Sequence, residues 1–595
     1  MLQQNINSLS NKSYGVPAVS VLTTTAVGLS SHPSLSVGDC SSIPYVAKKT
    51  NMSISFFKKL VVCAFIWAST LHIQAQTAGT IDNEQIDVVK EYQPILVKSD
   101  KINVTMDLPK VKEQTPQAQQ YTATEKAINV EYKPAEIKPM RVKDEKPEPL
   151  PFVYLKAGFG NYLTPLVDFS ITNKNTEKFK VGLKGDFIAS NKKKYDFQKY
   201  METGAKVFGQ YNFEKLLVGA DINFGYDKYH FYGYDHDDTL IFFNPDTIDV
   251  SYQTIGFKTY FTNYADNSKD LKYKGHFGFD RVKTNQDQTE NIIHFSVLAS
   301  KQFKDIFTAG GEITGNSTTL KTSGNDNRFV VGFKPFAGIE MGIWKIEGGA
   351  KIAIDEGDVF AFPYLKNQLQ IADNHLVMYN EWIGDVTVNN IYNLYPQLPF
   401  LSKNIRWDNY RTEDRRFIGL RGAVSGFSYD LSFGQMVYKN LPLVLNDSTD
   451  YRKFVLEYDE KMSSWNPKIS FGYNHGKTLS ARATLDYNIY KSKNNTTPYH
   501  LPALKANVTV GYTWNEKLNV KVDIFGESGS KVLKENGNVD KLKGIADINL
   551  SASYHLNKYV GFFVNLNNLA STKYQRYYRY PSYGLQAIGG VMLTY

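Results

Sequence analysis

From Phe152 to the C-terminal Tyr595 the chain alternates apolar and polar residues with a period of two. In 543–556, Ala546, Ile548, Leu550, Ala552, Tyr554 and Leu556 fall on one side, and Asp547, Asn549, Ser551, Ser553 and His555 on the other. In 476–490, Leu479, Ala481, Ala483, Leu485, Tyr487 and Ile489 oppose Ser480, Arg482, Thr484, Asp486 and Asn488. The same pattern runs through 215–226 and 516–526. Such alternation is the signature of a strand with two unlike faces. The runs exceed the ~5–6 residues usual in soluble sheets and match the ~9–11 residues of a tilted strand crossing a bilayer. The polar face carries full charges, among them Lys180, Lys184 and Asp186, which suits a wet lumen.

Short polar turns recur near 303, 341, 425, 475, 515 and 556. The last four and the chain end at 595 stand 50, 40, 41 and 39 residues apart, enough for two membrane strands, a turn and a loop. Longer irregular stretches lie between them, at 229–250, 390–412, 440–451, 491–503, 529–541 and 569–583. Short turns at one end and long loops at the other form the asymmetry of outer-membrane barrels. The expected fold is therefore all-β: a transmembrane antiparallel barrel over 151–595, of about 22 strands within a range of 16–22. Strands and loops blur around 360–412 and 440–465. The final strand alternates through Leu585, Ala587, Gly589, Val591 and Leu593 to a terminal aromatic, Tyr595. Val591, Leu593 and Tyr595 are the expected insertion signal for the barrel-assembly machinery.

The N-terminal part reads differently. From Met52, Lys58 and Lys59 precede the apolar run 60–68, and Ala75 stands at a cleavage position, so 52–75 is expected to be a secretory signal peptide. Residues 1–51 carry no usable pattern and are expected to be a mis-annotated extension. Residues 76–150 hold many prolines, lysines and glutamates and too little apolar surface to fold alone. They are expected to be an extended periplasmic or lumen-threading segment.

Composition narrows the picture. No stretch of the barrel region reaches the ~18 uncharged apolar residues of a spanning helix, and mean hydropathy is −0.37. The net charge of +9 is spread along the chain, with no clustered basic face or module that nucleic-acid binding would need. Both cysteines, Cys40 and Cys63, precede the expected mature chain, which leaves it without disulfides or Cys metal sites.

The stretch 557–595 resembles the C-terminal end of TonB-dependent receptors of the Bacteroidetes type. The resemblance rests on Asn565-Leu566-Asn567-Asn568-Leu569, Lys573-Tyr574-Gln575, Tyr580-Pro581 and a glycine-containing last strand. It implies a 22-stranded barrel, a globular plug and a short TonB box. The Pro-rich segment before the barrel is too short for a full plug. Ile86, Asp87, Val88 and Val89 are the TonB-box-like candidate.

Catalytic chemistry is not indicated. There is no HExxH, GxSxG, P-loop or metal-spaced Cys/His set, so no enzyme, cofactor or metal is expected. In 226–238, Tyr229, Phe231, Tyr232 and Tyr234 are assigned to the aromatic girdle, with stacking on a sugar or apolar ligand as the alternative. Asp235, Asp237 and Asp238 read as a solvated loop tip, with Ca²⁺ binding the less favoured reading. The segment 390–412 contains Pro396 and Pro399, which exclude an inner strand. It is expected to fold inward as a constriction or to form a partner surface. Its Tyr392, Tyr395, Phe400 and Trp407 are the candidate ligand or partner residues. Two functions follow: ligand or nutrient uptake across the outer membrane, or a structural barrel anchoring a periplasmic or surface partner. The expected partners are outer-membrane lipid, the assembly machinery, and TonB or a surface lipoprotein.

Overall fold

A computed structural model describes residues 152–173, 178–191, 195–236, 248–263, 271–304 and 306–595. The expectations for 1–51, 52–75 and 76–150, including Ile86–Val89, lie outside the described residues.

The described chain forms one closed antiparallel barrel. Every strand pairs with its neighbour in sequence, from Val153–Gly160 round to Gln586–Thr594, and these two pair with each other, Tyr154 opposite Thr594 through Gly160 opposite Ile588. The main sheet has 23 segments, but Leu479–Tyr487 and Ile489–Ser492 both pair with Phe454–His475 and are one strand interrupted at Asn488. The wall therefore has 23 − 1 = 22 strands. Short turns recur at one end, as at Gly342, Gly426 and Gly476, each with positive φ, and the longest loops, such as 388–409, lie at the other. By the outer-membrane asymmetry, the opposite end with the long loops is the outer one.

The two faces separate as the alternation requires. Ile222 pairs with Phe257 and Phe224 with Ile255, and all four are exposed on the outside. In water, so many exposed large side chains would be unstable; in lipid they form the apolar belt. Ile548, Tyr554 and Leu556 join this belt, while Asp547, next to Ile548, is buried inside. The inner wall is polar and internally paired. Lys206 meets Asp221 at 3.2 Å, Lys334 meets Glu312 at 2.6 Å, and His294 meets Asp280 at 3.0 Å.

Strand length varies round the wall. The closing strands have 8 and 9 residues, whereas Phe427–Asn446 has 20 and Phe454–His475 has 22. The long pair rises past the membrane as a ribbon with two apolar faces. Leu441, Leu443 and Leu445 pack with Leu501 on one side, and Phe454 and Leu456 join a second cluster on the other. At the short seam, Gly158 and Gly160 make closure possible. A Cβ at Gly158 would sit 2.6 Å from the Phe563 ring, and one at Gly160 would sit 2.4 Å from the Ala587 carbonyl.

Candidate functional site

The outer mouth is closed by loops that fold inward. The longest loop leaves the strand Leu376–Thr387 and returns at Tyr410–Val424. Asn390 caps a single helical turn, Ile391–Leu394, its side chain accepting the Asn393 N–H at 2.9 Å. Pro396 and Pro399 then prevent regular structure. The chain turns into the barrel: Ile391, Leu398 and Phe400 are 2%, 1% and 3% exposed.

Aromatic packing holds the loop in place. Tyr252 stacks on Tyr395 at 4.4 Å and 15°, and its hydroxyl donates to the Pro399 carbonyl at 2.8 Å. Phe400 stacks on Tyr580 at 3.9 Å and 21°. Tyr577 donates to the Gln397 carbonyl at 2.8 Å. The Phe454 N–H donates to the Phe400 carbonyl at 2.8 Å and the Ser402 N–H to the Phe454 carbonyl at 2.9 Å. The resulting cluster joins Phe231, Tyr232, Val282 and Leu320 on one part of the wall to Phe454, Tyr577 and Tyr580 on another.

A buried ion pair anchors the start of the loop. Glu290 is fully buried and accepts the N–H groups of Ile391 at 3.2 Å and Tyr392 at 3.0 Å. These are two of the helix N–H groups that lack an internal partner. The Arg328 guanidinium lies 3.9 Å from Glu290, 3.5 Å from Asp326, and donates to the Asn389 carbonyl at 2.5 Å. At the other end, the Tyr458 hydroxyl accepts the Asp408 N–H at 2.9 Å and the Asn389 amide at 3.1 Å. Asn409 donates to Asp355 at 2.8 Å.

A second loop, between Val560–Asn567 and Gln586–Thr594, completes the closure. Asn568 ties it together by donating to the carbonyls of Thr572 at 2.9 Å and Tyr583 at 2.6 Å. Gln198 donates to the Pro581 carbonyl at 2.7 Å and accepts at its own carbonyl from Tyr583 at 2.8 Å. Arg576 pairs with Glu527 at 3.0 Å, and Arg579 spans Asp235 at 3.3 Å and Glu535 at 2.5 Å. His500 is buried beside Phe454 and Tyr577, its Nδ1 2.8 Å from the Val444 carbonyl. Burial pushes its pKa down to about 4.

The predicted residues are thus brought together inside the mouth. Tyr395, Phe400 and Trp407 are buried in the cluster, and Tyr392 is partly buried against it. Burial, and then Asp280, raises the Tyr392 pKa; burial, and then Asp227, raises that of Tyr395. The girdle assignment of 226–238 is corrected. Tyr229, Phe231 and Tyr232 are buried in the inner cluster, whereas lipid-facing rings would be exposed. Asp235 is paired with Arg579; Asp237 and Asp238 lie outside the described residues. Among the described residues no group of three acidic, His or Cys side chains is placed to hold a metal. Val591 and Leu593 face outward, and Tyr595 stacks on Tyr559 at 6.3 Å. Sequence reasoning missed Glu290, Arg328, Tyr252 and Tyr577. Glu290 and Tyr252 occupy inward strand positions, where polar residues are ordinary.

No family model and no curated protein matches the chain. Solved structures do. The FrpB iron transporter of Neisseria meningitidis matches with a TM-score of 0.60 at 10% identity, covering 74% of this chain and 81% of that one. A variant of the ferric enterobactin receptor PfeA of Pseudomonas aeruginosa matches at 0.57 and 10%, covering 74% and 81%. The siderophore receptor PirA of Acinetobacter baumannii matches at 0.57 and 10%, covering 74% and 80%. The chain shares the barrel fold of these receptors. The matched share is the size of the barrel, since 152–595 is 595 − 151 = 444 of 595 residues.

Proposed function

We propose that the protein is an outer-membrane receptor that takes up a ligand through a barrel gated by its own outer loops. The observation that carries this reading is the inward-folded loop 388–409, seated over a wall lined with paired charges. An aromatic lid above a polar lumen is what a gated passage needs, and a pure anchor has no use for a wet interior. The likeness to iron and siderophore receptors supports the same class. Nutrient uptake of this kind is energy-coupled through TonB, with Ile86–Val89 as the contact. Tyr392, Tyr395, Phe400 and Trp407 serve as the lid's working face rather than as an outward recognition surface. The outward face of the last strand, with Val591, Leu593 and Tyr595, serves as the assembly signal.

One observation favours the second reading, a barrel that anchors a partner. The lid's aromatic side chains are consumed by internal packing, and the ribbon 441–459 stands above the membrane. Conductance in planar bilayers separates the two. The wild-type protein is expected to stay closed, and a variant with 391–407 replaced by a short Gly/Ser linker to open a large pore. If that variant conducts no more than wild type, the loop is not the gate and the anchor reading stands.

A further inference from the structure

We propose that the outer wall of the barrel binds the phosphorylated head group of an outer-leaflet lipid through Arg281, Lys283 and Lys321, just above the apolar belt on the strands Lys272–Thr284, Thr289–Phe303 and Phe307–Lys321. The inference does not depend on whether the barrel transports anything.

Cross-strand register stacks three outward rows on this part of the wall. The lowest is apolar. Ile222, Phe257, Phe279 and Ile293 stand opposite one another on successive strands, and Phe329 follows beyond Ser317. Ile222, Phe257, Ile293 and Phe329 are all exposed, as side chains facing lipid are. Two residues higher, the row reads Ile255, Arg281, Asn291, Thr319 and Asn327. Two residues higher again it reads Gln253, Lys283, Thr289, Lys321 and Asn325. Arg281 and Lys283 are exposed and alternate with buried Asp280, Val282 and Thr284, and exposed Lys321 follows buried Leu320. The three cations therefore point out of the wall and not into the lumen.

The height is fixed by counting. Phe303, at the short-turn end, and Ile293 are exposed outward residues of one strand. The 303 − 293 = 10 residues between them, at ~3.4 Å each and tilted by ~40°, put Ile293 about 26 Å above Phe303. The upper edge of a ~25 Å belt falls at that row. Arg281 then lies about 5 Å above the edge, and Lys283 and Lys321 about 10 Å above it. This is the depth of the head groups.

The charge is not spent within the protein. Neither polar row contains a carboxylate, and among the described residues none of the three cations forms an ion pair. Asp280 and Glu290 lie on the same strands but are buried on the inner face, where they meet His294 and Arg328. Asp326 faces Arg328 at 3.5 Å, and Asp249 on the outer face is held by Lys228 at 2.9 Å. Counting Asp287, exposed in the turn above Lys283, still leaves the patch at +3 − 1 = +2. Lys283 and Lys321 flank Thr289, two strand spacings or ~10 Å apart at the backbone, with Arg281 one row below. Two ammonium groups and a guanidinium fork can converge on one phosphate across that span. The position selects a lipid as the occupant: acyl chains cover the exposed apolar row, and the phosphate then stands at the height of the cations.

Native mass spectrometry of the full chain, released from non-ionic detergent, tests this. The protein is offered equimolar diphosphorylated lipid A and the same lipid with both phosphates removed. Wild type is expected to retain the phosphorylated form about five-fold or more over the other, each phosphate contact adding charge-assisted hydrogen bonds. The variant R281Q/K283Q/K321Q is expected to lose the preference, and K283R/K321R to keep it. Equal retention by wild type, or an unchanged preference in the Gln variant, overturns the proposal. An excess of inorganic phosphate is expected to leave the wild-type preference in place; its loss marks a site for free anions and also overturns the proposal. Should the Gln variant fail to migrate as a folded barrel, ionic strength decides. Raising ammonium acetate from ~50 mM to ~500 mM shortens the Debye length to ~4 Å and is expected to abolish the preference, whereas one that persists is set by the acyl chains and overturns the proposal.

Discussion

Replacing Glu290 by Ala removes the anchor of the lid. The carboxylate is fully buried, and it accepts the N–H groups of Ile391 and Tyr392 while facing Arg328. Breaking a buried pair by removing one partner costs about 3–5 kcal/mol, and each orphaned buried donor about 1–3 kcal/mol. These terms overlap. Arg328 also keeps Asp326 at 3.5 Å and the Asn389 carbonyl, so the lower end applies. About 3 kcal/mol corresponds to roughly 150-fold in the population of the undocked loop. Trypsin reads that population, because Lys403 and Arg406 lie within the loop and cleavage needs local opening. The cleavage rate at these two sites is expected to rise about 100-fold in E290A, with heat-modifiable gel migration confirming an intact barrel. Removing Arg328 as well is expected to recover part of the loss, because no uncompensated charge then remains. An unchanged cleavage rate in folded E290A, or strict additivity in the double variant, refutes the reasoning.

Other outcomes follow from the same packing. His500 has its pKa lowered to about 4 by burial, so the unfolded or undocked state binds the proton first. The docked state then loses about 3 kcal/mol as pH falls from ~6.5 to ~4, and trypsin sensitivity of the outer loops is expected to rise over that window in wild type but not in H500Q. Phe400 and Tyr580 stack at 3.9 Å, so a double-alanine cycle followed by loop proteolysis is expected to show a coupling of about 1 kcal/mol; a coupling of zero disproves joint closure by the two loops. At the seam, a Cβ on Gly158 would meet the Phe563 ring at 2.6 Å and the Gly589 carbonyl at 2.8 Å. G158A is expected to lower stability by about 1–3 kcal/mol, seen as a lower temperature of the heat-modifiability shift on gels.

Most of the wall was legible because a barrel in lipid writes its two faces into alternate residues. Strands such as 545–555 and the turns near 425, 475 and 556 fall where the alternation and its breaks put them. The pattern blurred around 440–465 for a physical reason. There the ribbon leaves the membrane and buries both faces, Leu441, Leu443 and Leu445 on one and Phe454 and Leu456 on the other, so alternation loses its contrast. The direction of the loops was not legible. Tyr229, Phe231 and Tyr232 have the composition of a girdle; Tyr229 takes an inward strand position, opposite in parity to the outward Ile222 and Phe224, and Phe231 and Tyr232 pack inside against Phe400 and Tyr580. Glu290 gave no signal because an inward strand position in a wet barrel is expected to be polar.

The excess of tyrosine, 40 against 6 tryptophans, has a structural reason at the mouth. An irregular loop buried in a barrel exposes backbone carbonyls that no ladder satisfies. Prolines sharpen the imbalance, since each adds a carbonyl and no N–H. The surplus acceptors are met by phenolic hydroxyls: Tyr252 on Pro399, Tyr577 on Gln397, Tyr232 on Pro581, Tyr583 on Gln198 and Tyr580 on Arg452. Each ring meanwhile supplies apolar area to the cluster. Phenylalanine in these places would pack as well and leave the carbonyls bare, at about 1–3 kcal/mol each. A lid built this way needs no regular secondary structure to be ordered. Because the same rings bridge both loops, the two are expected to undock together.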